Sequence, residues 1–115
     1  MENIMLNQSK KNTLMDSVPN NLVARRLAYF YSIFSDSTRI KIIVALISSE
    51  MCVQDISNLL GINQTTISHQ LKTLRSVGAV KCKRKNKYLI YSVSNHLISN
   101  IMLSGVDYIF THKIA

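Results

Sequence analysis

The sequence predicts a mainly helical fold that carries a single two-stranded β-hairpin. Two observations lead to this fold class. Apolar residues recur at intervals of three and four along most of the chain, as on the buried face of an α-helix. Between residues 79 and 94 the interval becomes two, which is typical of β-strands, and the polar residues 85–87 interrupt this stretch as a turn.

Length, charge and cysteine content narrow the type of protein and the partners that it can have. The chain has 115 residues, enough for one domain, and a formal net charge of +8, which favours a polyanionic partner or an anionic lipid. Its longest apolar run, residues 42–47, is far shorter than the ~20 residues that a membrane helix requires. No secretory leader is visible, and two cysteines indicate a reducing compartment rather than a disulfide framework. We therefore expect a cytoplasmic protein without a membrane partner.

The chain divides into a short polar segment and a longer amphipathic one. Residues 1–19 are polar, end at the only proline and lack sustained periodicity. We expect a flexible N-terminal tail here, with room for a short helix or for contact with a neighbouring molecule. The remaining residues, 20–115, are expected to fold as one domain.

The first two helices of this domain are predicted over residues 20–34 and 36–49. The first has an apolar surface wider than one core would use, and Asp36 is suited to cap the second. Arg39 and Lys41 lie near the start of the second helix, where positive charge opposes the helix dipole. Either solvation or a nearby phosphate backbone fits that placement. The residues predicted to face inward are Ile40, Ile43, Val44 and Ile47.

Residues 53–78 have the pattern of two short helices joined by a tight turn. Gly61 is suited to end the first helix and Asn63 to cap the second. In the second helix one stripe is apolar and the opposite face is polar, with Ile67, Leu71 and Leu74 against Thr65, Ser68, His69, Lys72 and Ser76.

That polar face carries no negative charge, since no carboxylate occurs between residues 62 and 87. An ordinary surface helix usually carries Glu–Lys pairs, although a surface helix rich in serine and threonine would also give this pattern. Hydrogen-bond donors and acceptors without negative charge suit a helix that enters the major groove of DNA. The stretch therefore predicts a helix-turn-helix with a recognition helix.

A hairpin is predicted directly after the recognition helix, with strands over residues 79–84 and 88–94. A hairpin in this position makes a winged helix. From residue 72 to residue 87 the chain collects seven basic residues and no acidic one, which are Lys72, Arg75, Lys81, Lys83, Arg84, Lys85 and Lys87. A solvated edge strand also uses lysine, but this density of charge is typical of phosphate contact.

The last predicted helix, residues 95–112, is apolar over more than half of its circumference. Such a helix needs burial on two sides, and a domain of this size offers one. The mid-helix Gly105 permits close backbone approach at the cost of about 1 kcal/mol relative to alanine. The wide apolar surfaces of the first and last helices together predict a homodimer built from these two helices.

Residues 27–94 resemble the ArsR/SmtB family of bacterial winged-helix repressors, especially its metal-sensing members. The resemblance rests on SDSTR at 35–39, MCVQDI at 51–56, QTTISHQLK at 64–72 and YLIYSV at 88–93. It implies a homodimer of element order α-α-α-α-β-β-α that binds a palindromic operator and is released by an inducer. It also implies that DNA is read mainly through Gln64, Thr65, Ser68 and His69, while the wing flanks the phosphates.

The predicted function is therefore a sequence-specific transcriptional regulator that acts as a repressor. The predicted DNA-contacting residues are Gln64, Thr65, Thr66, Ser68, His69, Lys72, Lys83, Arg84, Lys85 and Lys87. The alternative is a winged-helix module that binds protein and has no specific DNA site. No enzyme or cofactor is expected, because the chain has no glycine-rich phosphate loop, no purposeful carboxylate pair and no nucleophile with an orienting base.

The inducer is where the sequence departs from the family that it resembles. One family metal site has the form Cys-Val-Cys; Cys52 matches its first cysteine, but Gln54 replaces the second, and soft metals need two or three thiolates. Cys52 is either a site for a thiol-directed effector or a small buried side chain. The other family site, on the last helix, matches four positions that offer no suitable zinc ligand, namely Asn95, Leu97, Tyr108 and Thr111. We therefore predict no metal site.

Overall fold

The computed structural model describes residues 5–112. Within that range the chain forms α1 (Gln8–Met15), α2 (Asn21–Ser32), α3 (Ser37–Ser48), α4 (Val53–Leu60), α5 (Gln64–Ser76), β1 (Val80–Lys85), β2 (Tyr88–Val93) and α6 (His96–His112). A 3-10 turn, Ile33–Ser35, joins α2 to α3. The predicted winged helix-turn-helix is confirmed. Helix α1 is additional to the expected order and lies in the segment predicted as a tail.

The chain divides into two compact units, and the first ends at Tyr31. In this unit Asn7 caps α1, since its Oδ1 accepts a hydrogen bond from the backbone N–H of Lys10 at 2.7 Å. None of the α1 side chains is buried, and on α2 only Phe30 is half-buried among otherwise exposed residues. The domain boundary predicted after residue 19 stays a prediction.

Helix α2 begins one residue later than predicted and ends two residues earlier, because the chain tightens there into the 3-10 turn. There the hydroxyl of Ser35 donates to the carbonyl oxygen of Ser32 at 2.6 Å. Asp36 then begins α3 as predicted, with its Oδ2 accepting from the backbone N–H of Arg39 at 3.0 Å.

Helix α3 is the centre of the second unit and packs against α4, α5, β2 and α6. Its buried residues are Ile42, Ile43 and Leu46. The prediction was right for Ile43 and wrong for the other three inward positions, which are only half-buried: Ile40, Val44 and Ile47. A helix with neighbours on several sides buries a wider arc than one stripe, so the stripe alone does not locate the core.

The hairpin is antiparallel, and its register pairs Cys82 with Tyr91 and Lys85 with Tyr88. The connecting turn has Asn86 in the left-handed region, at φ 60°, as the sequence predicts. Met51 pairs with the free edge of β2, because its backbone exchanges hydrogen bonds of 3.1 and 2.8 Å with Tyr91. The hairpin is thereby fixed to the entry of the helix-turn-helix.

Helix α6 begins after Asn95, whose Oδ1 accepts from the backbone N–H of Ile98 at 3.2 Å. Only Ile98 and Met102 of this helix are buried. The large apolar side chains that stay exposed are Leu97, Leu103, Tyr108, Ile109 and Phe110. Among residues 5–112, no helix has the length and hydropathy to cross a membrane.

The buried stripe of α5 generates a stability prediction. Leu71 has no exposed surface, so Leu71→Ala should lower the free energy of unfolding by about 2–5 kcal/mol through lost burial and a cavity. Ser68 lies on the exposed face of the same helix, and Ser68→Ala should change stability by less than about 0.5 kcal/mol. Urea denaturation monitored by circular dichroism measures both. Equal losses would contradict the assignment of the two faces.

Candidate nucleic-acid interface

The turn between α4 and α5 is held by local hydrogen bonds. Gly61 adopts a left-handed conformation at φ 69°, and its N–H donates to the carbonyl oxygen of Ser57 at 2.9 Å. The Ser57 hydroxyl donates to the carbonyl oxygen of Ile62. Asn63 then caps α5, since its Oδ1 accepts from the backbone N–H of Thr66 at 2.8 Å. These bonds fix the direction in which α5 leaves the turn.

Helix α5 separates a buried face from an exposed one. Ile67, Leu71 and Leu74 have no exposed surface. Of the predicted contacts on α5, five are exposed on the opposite face, namely Gln64, Thr65, Ser68, His69 and Lys72, whereas Thr66 is half-buried at the edge. The face therefore presents amide, hydroxyl, imidazole and ammonium groups to solvent, with no carboxylate. Contact of these residues with DNA stays a prediction.

The wing carries the second group of predicted contacts. Lys83, Arg84, Lys85 and Lys87 are all exposed. Because side chains alternate along a strand, Lys83 and Lys85 lie on one face of β1 and Arg84 lies on the other. The ammonium of Lys87 lies 5.8 Å from the ring centroid of Tyr88, a distance at which a cation and an aromatic ring attract. The wing thus holds positive charge on both faces.

Sequence reasoning missed one residue of this region. Gln70 of α5 is half-buried, and its Oε1 accepts a hydrogen bond of 3.0 Å from Nη1 of Arg39. The two residues are 31 positions apart, so no local pattern pairs them. The available signal was the positive charge of Arg39 at the start of α3, for which the sequence offered only solvation or a phosphate.

Cys52 lies at the N-cap position of α4 and is 9% exposed. Its Sγ donates a hydrogen bond of 3.3 Å to Oδ2 of Asp55. Reactive thiols usually occupy electropositive and partly exposed surroundings. Cys52 has the positive end of α4 beside it, but its side chain is buried and its partner is a carboxylate. Cys82 is a second free thiol, and the backbone of Tyr91 lies between it and Met51, the neighbour of Cys52.

The positions on α6 that match the family metal ligands do not fit a zinc ion. Asn95 caps the helix, and Leu97 is aliphatic and 63% exposed. The Tyr108 ring stacks on His112 with centroids 4.0 Å apart, while Thr111 is exposed. Zinc sites use cysteine, histidine and carboxylate ligands. Among the described residues, no group of three or more such side chains is arranged to hold a metal ion.

Comparison with known proteins identifies the family. The model of the family "Bacterial regulatory protein, arsR family" matches residues 36–81. The cadmium resistance transcriptional regulatory protein CadC of Listeria innocua is 38% identical over 80 residues, covering 69% of this chain and 67% of that relative. The chain belongs to the ArsR family. A transcriptional repressor SmtB homolog from Synechocystis is 30% identical over 86 residues, covering 75% of this chain and 65% of that protein.

Solved structures of ArsR-family regulators share the fold. The transcriptional repressor BigR from Xylella fastidiosa superposes with a TM-score of 0.66 at 23% identity, covering 80% of this chain and 91% of that one. A homodimeric winged helix-turn-helix domain from Mycobacterium bovis gives a TM-score of 0.69 at 20% identity, covering 97% of this chain and 94% of that one.

This member of the ArsR family is a DNA-binding transcriptional repressor of the winged helix-turn-helix class. The matching family and the relatives named above are transcriptional regulators, which favours this function over the alternative of a protein-binding module. The curated relatives named above are transcriptional regulators rather than enzymes.

The residues on α6 generate a prediction about metal ions. Zinc, cobalt and nickel at low free concentration should leave DNA binding nearly unchanged, because amide, aliphatic, phenol and hydroxyl groups replace the ligands that zinc requires. Gel-shift titration of the complex with each metal measures this. Arsenite and a mild oxidant are added in parallel to wild type, Cys52→Ser and Cys82→Ser.

The cysteine variants separate the remaining explanations. Zinc-driven release that persists in Cys52→Ser would show that the reading of α6 is wrong. A thiol response that is lost only in Cys52→Ser would make Cys52 the effector site, and one lost only in Cys82→Ser would move that site to the wing.

Proposed function

We propose that this repressor binds a palindromic operator as a homodimer, with one α5 helix in each of two successive major grooves and the wings along the flanking phosphates. The observation that carries the proposal is the exposed face of α5, which is polar and free of carboxylates while the opposite face is fully buried. A helix of this kind enters the major groove without electrostatic repulsion from the phosphates.

The proposed base contacts lie in the first half of α5, where recognition helices meet base edges. The Gln64 amide has the paired donor and acceptor that match adenine, and the Thr65 methyl suits the methyl group of thymine. Ser68 and His69 follow one turn later and offer both donors and acceptors. Thr66 completes the set at the edge of this face.

The proposed phosphate contacts are five cations in each subunit: Lys72, Lys83, Arg84, Lys85 and Lys87. A dimer therefore presents ten. If six or more of these neutralise phosphates, the released counterions should lower the affinity roughly 10³–10⁵-fold between 50 and 200 mM salt. These contacts supply affinity for any sequence, whereas the α5 contacts supply the preference for one.

The proposed dimer interface consists of α2 and α6. Helix α6 exposes large apolar side chains along most of its length, including Phe110 at 79%. Aromatic and aliphatic side chains in one patch are typical of the core of a protein–protein interface. At Gly105 a Cβ would meet no atom within 4 Å, so the close approach that we propose there involves the second copy.

We also propose that the protein acts in the cytoplasm, has no catalytic activity, and is released from DNA by an inducer. A repressor has to be in the compartment that holds its operator DNA, and the two free cysteines of this chain suit a reducing compartment. If the inducer acts on the Cys52 thiol, the start of α4 has to open first, because this side chain is buried in the present conformation.

Base and phosphate contacts give different predictions. His69→Ala should cost about 1–3 kcal/mol of binding to the operator and relax its preference over random DNA, because a base contact is lost. Lys85→Ala should weaken binding to both DNAs alike and reduce the salt slope by about one. Fluorescence anisotropy with a duplex from the promoter of the protein's own gene and with a scrambled duplex, at two salt concentrations, measures both effects.

Thr73→Ala is the matched control, since Thr73 is half-buried and its hydroxyl bonds to the carbonyl oxygen of His69 within α5. It should leave the preference intact. A wild-type protein that binds promoter and scrambled DNA equally would refute the proposed function.

The interface generates a separate prediction. Phe110→Asp should shift the protein towards monomers, because burying a carboxylate in an apolar interface is strongly unfavourable. Asn100→Asp adds the same charge at another exposed position of α6 and serves as the control. Sedimentation velocity over a range of concentrations measures the dimer fraction. An undiminished dimer in Phe110→Asp would place the interface elsewhere.

A further inference from the structure

Arg39 occupies an electrostatically unfavourable place in the fold. It lies in the first turn of α3, where the positive end of the helix dipole disfavours a cation, and α3 has no acidic residue in that turn. Its side chain is half-buried rather than extended into solvent. The Asp36 carboxylate, which caps α3 and accepts from the backbone N–H of Arg39 at 3.0 Å, offsets part of this field. The guanidinium group itself is held by further, specific partners.

The guanidinium group has two such partners on different segments. Its Nε donates to the carbonyl oxygen of Ile33 at 2.6 Å, in the 3-10 turn before α3. Its Nη1 donates to Oε1 of Gln70 at 3.0 Å, in the recognition helix. One side chain therefore connects the 3-10 turn, the start of α3 and the middle of α5.

We propose that Arg39 and Gln70 are a positioning pair that sets the orientation of the recognition helix on the DNA. Gln70 is next to His69 on α5. Arg39 holds the Gln70 amide towards α3 and away from the exposed face. The neighbouring base-reading side chains thereby keep a fixed rotation about the helix axis. This inference rests on the proposed function and adds two residues that act without touching the bases.

The chemistry requires arginine at position 39. The guanidinium is planar and rigid, and its separate N–H groups reach two acceptors that lie in different directions. A lysine ammonium keeps the charge but is a compact donor on a flexible stem, and it cannot reproduce this fork. Loss of the fork would also leave the carbonyl of Ile33, a residue only 5% exposed, without this donor.

A phosphate contact by Arg39 is the competing role, and it makes opposite predictions. A phosphate contact depends on charge, survives replacement by lysine, and contributes about one to the salt slope. A positioning pair depends on the fork and on Gln70. It changes the preference between two DNA sequences and leaves the salt slope unchanged.

The experiment uses the full chain with four substitutions: Arg39→Lys, Arg39→Gln, Gln70→Met and the double variant Arg39→Lys/Gln70→Met. Lys41→Gln is the control, because it removes one exposed charge from the same turn of α3. Affinity is measured by anisotropy for the promoter duplex and for a scrambled duplex of equal composition, over a series of salt concentrations. Thermal unfolding by circular dichroism confirms the fold of each variant.

We expect Arg39→Lys and Gln70→Met each to lower the promoter preference roughly tenfold, since each removes the same charge-assisted hydrogen bond. The double variant should lose no more promoter preference than the more impaired of the two single variants, as expected for residues that act as one unit. The salt slope should stay unchanged in Arg39→Lys, Gln70→Met and Lys41→Gln. If Arg39→Lys does not fold, Gln70→Met, which keeps the bond to Ile33, decides the outcome.

Two results overturn the inference and leave the proposed function standing. One is a wild-type preference that Gln70→Met retains. The other is a preference that Arg39→Lys retains, together with a salt slope reduced by about one in Arg39→Gln, which would make Arg39 a phosphate contact. A wild type without any preference overturns the proposed function and the inference together.

Discussion

The burial of α3 is the constraint on which the second unit depends. This helix contacts the 3-10 turn before it, both helices of the helix-turn-helix, strand β2 and α6. Ile42 and Ile43 have no exposed surface, and each contributes about 1.5–3 kcal/mol by leaving water. Because α3 packs against both α5 and β2, it supports the recognition helix and the wing together. Their connection is fixed as well, since the backbone N–H of Ala79 donates to the carbonyl oxygen of Leu74 at 3.0 Å.

Positive charge is divided from negative charge along the chain, and each sign has a different use. Asp36 caps α3, and Asp55 accepts the hydrogen bond of the Cys52 thiol, so both carboxylates have intramolecular partners. The cations of the wing are exposed, and no carboxylate lies on the hairpin to neutralise them. These two acids therefore serve local structure, while the chain carries a net charge of +8 that suits a polyanion.

Local signals predicted the elements well. The caps Asp36 and Asn63 and the left-handed residues Gly61 and Asn86 all have the predicted roles, because each depends on neighbours within a few positions. The polar face of α5 was also predicted, since its buried stripe follows from helical spacing alone.

Helix α1 was harder to predict, because it has a cap at Asn7 but almost no amphipathic pattern. The inward face of α3 and the pair of Arg39 with Gln70 were not found, since both depend on which elements meet in space. The DNA-contacting residues remain predictions for a similar reason: exposure is visible in one chain, whereas contact needs the partner.

Departures from the family pattern occur in the parts that would sense a signal, not in the parts that would read DNA. On α6, Asn95 caps the helix and Tyr108 stacks on His112, so these positions stabilise the helix itself. The turn at Gly61, the cap at Asn63 and the buried stripe of α5 are all in place. Residues that bind a metal contribute little to folding until the metal is present, so they can be replaced without loss of the fold. The side chains that hold the recognition helix against α3 are buried in the core, so their replacement costs stability. A repressor can therefore keep its DNA-reading architecture while the signal that it answers changes.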